Sequence, residues 1–119
     1  MTGIPPTRFS PILDGMMRAR GVRASLIVSA TDGIAIDSNL HFGQDGSGVA
    51  ALAASLYRKA RQSAKAAGFG GTGFMHLEAE SGRLCLLGGD EIVLVVVAEP
   101  DANVGLIRVE MLKAAEALA

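Results

Sequence analysis

The chain reads as an α+β domain in which three helices and five strands follow one another as helix, two strands, helix, three strands, helix. Three observations carry this. Two short polar turns, at Asp32-Gly33 and Ser81-Gly82, each separate stretches suited to strands, so the strands beside them run antiparallel as hairpins. Residues 47–67 form an Ala-rich segment with straight-chain residues that favour helix. The run IVLVVVA at residues 92–98 is apolar on both faces, which places it at the centre of a sheet with helices on either side.

The elements can be justified in order. SPILDGMMRARG supplies Ser10 as an N-cap, Pro11 at the first helical position and Gly21 as a stop, with Ile12, Leu13, Met16 and Met17 as its apolar residues. RASLIVSA then alternates Leu26, Val28 and Ala30 against Ser25 and Ser29, the period of a half-buried strand. The Asp32-Gly33 turn leads to a short strand over residues 34–37, an antiparallel neighbour of the first.

The long helix has two apolar stripes. The main one, Val49, Leu52, Ala53, Leu56, Ala60 and Ala64, is expected to face the core. A second, Ala50, Ala54 and Tyr57, continues into Arg61 and Lys65 and is expected to be open to a partner. FMHLEAE then alternates Met75, Leu77 and Ala79 against His76, Glu78 and Glu80, and returns through RLCLLGG. A two-residue turn at Ser81-Gly82 would set Glu80 opposite Arg83, Glu78 opposite Cys85 and Leu77 opposite Leu86. A last helix starts at the cap Asn103 and turns Val104, Ile107, Met111, Ala115 and Leu118 inward.

Composition narrows the function. At 119 residues the chain has the length of one domain, large enough to bury roughly 65% of its unfolded surface without disulfides or metals. Its first nine residues read as a flexible lead. Half the residues are hydrophobic and the net charge is −1, far from the basic excess of a phosphate-backbone binder, so nucleic acid is not an expected partner. The single cysteine, Cys85, cannot form an intramolecular disulfide and fits a reducing compartment. MTGIPPTRF lacks the pattern of a secretory signal, and IVLVVVA is too short to span a bilayer, so a cytoplasmic location without membrane insertion is expected.

GFGGTG, residues 68–73, fits the G-x-G-x-x-G fingerprint of dinucleotide-binding turns. That fingerprint works when a strand turns into a helix whose N-terminal amides face the pyrophosphate. Here the glycines follow a helix and precede a strand, so their amides lie beyond a helix C-terminus, where the dipole disfavours phosphate. Helix termination at Gly68 and a connector account for the motif. No P-loop tripeptide occurs either, and no cofactor is expected.

Groups suited to catalysis are few. His41 stands near Asp37 and Asp45 in a polar loop, and His76 alternates with Glu78 and Glu80 on a strand, with no further His or Cys nearby in the sequence to complete a metal site. Cys85 sits mid-strand with no activating group, and no Ser lies in a nucleophile elbow. An enzyme is not expected. What stands out is adhesive surface: the basic helix end of Arg58, Lys59, Arg61 and Lys65, the Ala-rich stripe, and a strand from Phe74 to Glu80 that would leave backbone groups unpaired at a sheet margin. A symmetric dimer covers the stripe and the strand together.

This order of elements resembles the Roadblock/LC7 family, which includes dynein light chains and bacterial regulators of small Ras-like GTPases. The resemblance is carried by GVRASLIVSATDGIAIDS and by SGRLCLLGGDEIVLVVVAEPDANVGLIRVEMLKAAEAL, and spans residues 12–118. It implies a five-stranded antiparallel sheet with the long helix on one face and the two terminal helices on the other. It also implies a homodimer joined through third strands and middle helices, acting without enzymatic activity of its own on a small Ras-like GTPase. The expected dimer or partner interface comprises Ala50, Ala54, Tyr57, Arg58, Arg61, Lys65, Phe74, His76 and Glu78. A passive adaptor like a dynein light chain is the first alternative, and a small-ligand sensor resembling PAS or GAF domains the second.

Overall fold

The computed structural model describes residues 7–118. Helix α1 (Ser10–Met17) precedes strands β1 (Val22–Ser29) and β2 (Ala35–Leu40). Helix α2 (Gly46–Ala66) follows, then β3 (Met75–Ala79), β4 (Gly82–Gly88), β5 (Ile92–Ala98) and helix α3 (Val104–Leu118). The strands form one antiparallel sheet in the order β2-β1-β5-β4-β3. The expected element order and sheet are therefore what the chain adopts.

Two apolar layers hold the helices to the sheet. On one face α2 sets Ala50, Ala53, Ala54 and Tyr57 against Leu26, Val28, Leu84, Val93 and Val95. On the other, α1 and α3 set Leu13, Met16, Ile107 and Met111 against Ile27, Cys85, Leu94 and Val96. Strand β5 feeds alternate residues into both layers, which explains its unbroken apolar run.

Strand β1 departs from the one-sided pattern expected of it. It lies between β2 and β5 with α2 over one face and α1 and α3 over the other, and Ser25 is fully buried. The Ser25 hydroxyl donates to the Leu13 carbonyl at 2.9 Å, and this bond is what lets a polar residue lie under α1. The first helix also begins differently: Phe9, not Ser10, occupies the N-cap, and no side chain caps it. Ser10 Oγ instead accepts from the Thr7 amide at 3.0 Å. Of the nine residues expected to be flexible, 1–6 lie outside the described residues, whereas 7–9 are anchored. The Thr7 hydroxyl donates to Asp37, and Phe9 is buried in the α1/α3 layer.

Helix α2 is capped by Asp45, whose carboxylate accepts from the Gly48 amide at 3.0 Å. It ends where Gly68 adopts φ +83, with the Phe69 amide bonded to the Ala64 carbonyl at 2.8 Å. The glycine-rich motif thus leaves a helix and enters a strand.

The β3–β4 hairpin pairs two residues out of the expected register. Ala79 pairs with Gly82, Glu78 with Arg83, Leu77 with Leu84 and His76 with Cys85. The two-residue loop is Glu80-Ser81, and Gly82 already belongs to β4, where a Cβ would approach the Ala98 carbonyl oxygen at 3.2 Å. A shift of two keeps every side chain on its expected face.

Candidate interaction face on helix 2 and strand 3

The second stripe of α2 is buried together with Ala53 of the main one, and of the main stripe it is Leu52 that is left exposed. Ala50 and Ala54 are 0% exposed and Tyr57 is 1% exposed, all turned onto the sheet. They are not available to a partner. Tyr57 is the reason: its ring fills the layer over β4 and β5, and its hydroxyl donates to the Gly89 carbonyl at 2.9 Å. The alanines beside it let the helix sit low. A Cβ placed on Gly33, in the β1–β2 turn, would lie 3.4 Å from that of Ala54. The flank of α2 leaning away from that turn carries Val49, Leu52 and Leu56 from the stripe expected to face the core. Val49 and Leu56 are partly buried, and Leu52 is 50% exposed.

Strand β3 is an edge strand, with no neighbour beyond it among the described residues. Leu77 shares the α2 face of the sheet with its partner Leu84 and is 44% exposed. Sequence reasoning missed Leu52 as surface. The clue lay in Tyr57: the larger ring competes better for the buried side of the helix than Leu52 does.

The basic end of α2 is largely a brace. Arg58 Nη1 donates to the carbonyls of Ala30 and Thr31 at 3.0 and 3.1 Å. Arg61 donates to Gly89 at 3.3 Å, pairs with Asp90 at 2.6 Å, and lies 5.3 Å from the Tyr57 ring centroid. The bond to Asp90 raises the Arg61 pKa further, and burial raises that of Tyr57. Arg58 and Arg61 thus pin α2 to the turns at one end of the sheet. Lys59 and Lys65 remain exposed. A shallow recess of about 390 Å³ lies among Arg58, Arg61, Gln62, Lys65, Gly70 and Gly71.

The remaining expected interface residues lie on the opposite face of β3's end of the sheet. Phe74 is tucked against the α3 layer with the Arg108 guanidinium 5.6 Å from its ring centroid. His76 and Glu78 are exposed, and both approach Arg83, at 3.4 Å in each case. They form a polar row along the free edge.

The other titratable groups have structural duties. Asp37 accepts from Thr7 and Ser10, and Asp45 caps α2, so neither carboxylate is free to join His41. Cys85 is fully buried, and burial pushes its thiol up to about 11, the reverse of what a nucleophile needs. Among the described residues no group of three or more His, Cys, Asp or Glu could hold a metal ion, and no helix is long and apolar enough to cross a membrane.

Residues 10–98 match the family profile described as Roadblock/LC7 domain. The chain belongs to the Roadblock/LC7 family. Its relatives include the uncharacterized protein MJ1340 of Methanocaldococcus jannaschii, 31% identical over 105 residues that cover 88% of this chain and 91% of that protein. Among solved structures, Myxococcus xanthus MglB superposes with a TM-score of 0.84 at 22% identity, over 97% of this chain and 94% of that one. The gliding protein MglB of Thermus thermophilus gives 0.82 at 22% identity, over 100% and 91%. These likenesses establish a Roadblock/LC7 fold with α2 alone on one face of the sheet and α1 with α3 on the other.

Proposed function

We propose that the protein is a homodimeric, non-enzymatic regulatory module that binds a small Ras-like GTPase and adjusts its nucleotide cycle. The observation that carries this reading is that β3 is an edge strand among the described residues, with Leu77 on it 44% exposed, while Leu52 on α2 is 50% exposed on the same side of the sheet. An apolar helix flank beside a row of unsatisfied strand amides and carbonyls is covered at once by a second copy related by a twofold axis. The pair then presents two α2 helices side by side, a platform that one subunit lacks.

Family membership supports the GTPase as the platform's ligand, and the bracing of Arg58 and Arg61 onto main-chain carbonyls supports binding rather than catalysis by an inserted arginine. The close Ala50, Ala53 and Ala54 packing speaks against a roomy ligand chamber under α2 of the kind a sensor needs. Mixing the protein with a Ras-like GTPase in each nucleotide state, and following both complex formation and phosphate release, tests the proposal. A complex with altered turnover supports it. A complex with unaltered turnover leaves an adaptor, and no complex in either state overturns it.

A further inference from the structure

Charge in this nearly neutral chain is segregated. No Asp or Glu occurs between Asp45 and Glu78, whereas Arg58, Lys59, Arg61 and Lys65 all fall there. Arg58, Arg61, Gln62 and Lys65 stand three and four positions apart, on one flank of α2. With Gly70 and Gly71 they line the recess of about 390 Å³, and among the described residues no carboxylate lines it. Asp32, Asp90 and Glu91 belong instead to the turns that Arg58 and Arg61 brace; Asp90 holds Arg61 at 2.6 Å, and Asp32 accepts from the Ile34 amide. Arg58 is held by carbonyls, and among the described residues Lys59 and Lys65 make no ion pair, so these charges stay uncompensated.

The loop that closes the recess projects a ring into water. Phe69 is 82% exposed although its amide is fixed to the Ala64 carbonyl at 2.8 Å. Its glycine neighbours leave it clear of the subunit. Gly68 and Gly70 take φ +83 and +80, and a Cβ on Gly68, Gly70, Gly71 or Gly73 would meet nothing within 4 Å. GFGGTG therefore sets an aromatic tip beside a basic recess. A single ring on an open loop offers little to the shape-matched contact of a folded partner. A lipid surface accepts it, because a ring enters at the headgroup level while adjacent cations attract anionic headgroups.

We propose that the α2–β3 loop and the basic flank of α2 form a docking site for an anionic lipid surface, in which Phe69 enters between headgroups and Arg58, Arg61 and Lys65 receive a headgroup phosphate in the recess. The carbonyl end of α2 does not oppose this: the cations stand along the helix flank, and Lys65 in the last turn offsets the dipole. The site lies on one subunit and needs neither the second copy nor the GTPase proposed above. It serves surface docking, since among the described residues no helix is long and apolar enough to cross a membrane.

The chain contains no tryptophan, so Phe69→Trp places a lone fluorescent reporter on the loop. Phe42→Trp is the matched control. Phe42 is 105% exposed at the other end of α2, in a loop over residues 41–45 that carries Asp45 and no Lys or Arg. The probes are vesicles of phosphatidylcholine alone and of phosphatidylcholine mixed with phosphatidylglycerol. With the mixed vesicles the Phe69→Trp emission should move to shorter wavelength and be quenched by bromine on the acyl chains, while the Phe42→Trp emission stays where it is.

The native chain should sediment with the mixed vesicles, not with phosphatidylcholine alone, and should be released by salt. Phe69→Ser should weaken that binding roughly tenfold. Lys65→Gln should weaken it about fivefold. Both side chains are exposed, so the fold is retained, which circular dichroism checks. Equal binding to the two kinds of vesicle, an unmoved Phe69→Trp emission, or an equal shift in Phe42→Trp overturns the site. Binding of inorganic phosphate without binding to either vesicle overturns the lipid surface as its ligand and leaves a free-anion site.

Discussion

Tyr57 is a single residue that sets the orientation of a whole helix. Its ring is the only aromatic on α2, and its hydroxyl reaches the Gly89 carbonyl across the sheet end. Tyr57→Phe should lower stability by about 1 kcal/mol, the net worth of one hydrogen bond, with the fold retained; urea denaturation measures it. Ala54→Leu is expected to cost more, roughly 1–3 kcal/mol, because Ala54 is sealed against the sheet near Gly33. The Arg23–Glu99 pair gives a pH signature. The hydrogen bond from Arg23 holds the Glu99 carboxyl below its ordinary value, so its stabilising contribution is present above the unfolded carboxylate pKa. It is lost as pH falls through the folded value. The melting temperatures of the native chain and Glu99→Gln should differ at pH 7 and converge as the pH falls below the ordinary carboxylate range and through the lowered folded value.

Element boundaries rest on a few local devices, and most of them were legible in the sequence. The Asp32-Gly33 turn carries Gly33 at φ +74 and an Ile34 amide donating to Asp32 Oδ1 at 3.2 Å. Asn103 Oδ1 accepts from the Leu106 amide at 3.1 Å and caps α3. Asn103→Ala should therefore cost about 1 kcal/mol, visible as a lower denaturation midpoint. Start points were harder to infer than stops. Ser10 and Phe9 are adjacent, and the choice between a polar cap and a buried ring fell to the ring because the α1/α3 layer receives it. The hairpin register slipped by two for a similar reason: Gly82 fits against β5's Ala98 carbonyl only as a strand residue.

For the whole molecule, the open β3 edge and the Leu52/Leu56 flank predict association. Leu52→Glu combined with Leu77→Glu should convert a two-copy particle into a single copy in light scattering while the far-ultraviolet circular dichroism stays unchanged. Both positions are half-exposed, so charge there is tolerated by the subunit and penalised only at a covered face. Loss of secondary structure in that variant, or an unchanged mass, would argue that this side of the subunit is not where copies meet.

Element order, the hairpins, the doubly covered strand β5 and the family all follow from local pattern, because turn chemistry and hydrophobic period act over a few residues. Which stripe of α2 lies down could not be decided that way. Both stripes satisfy the helical period, and the choice depends on where the Gly89 carbonyl and the Gly33 turn stand in space, residues more than ten positions from the helix side chains they select. The same holds for the buried Ser25, whose acceptor is on α1. Local sequence determined what each segment is, and tertiary packing decided which of its faces the molecule leaves open, since burial is a competition among faces that only the assembled sheet can judge.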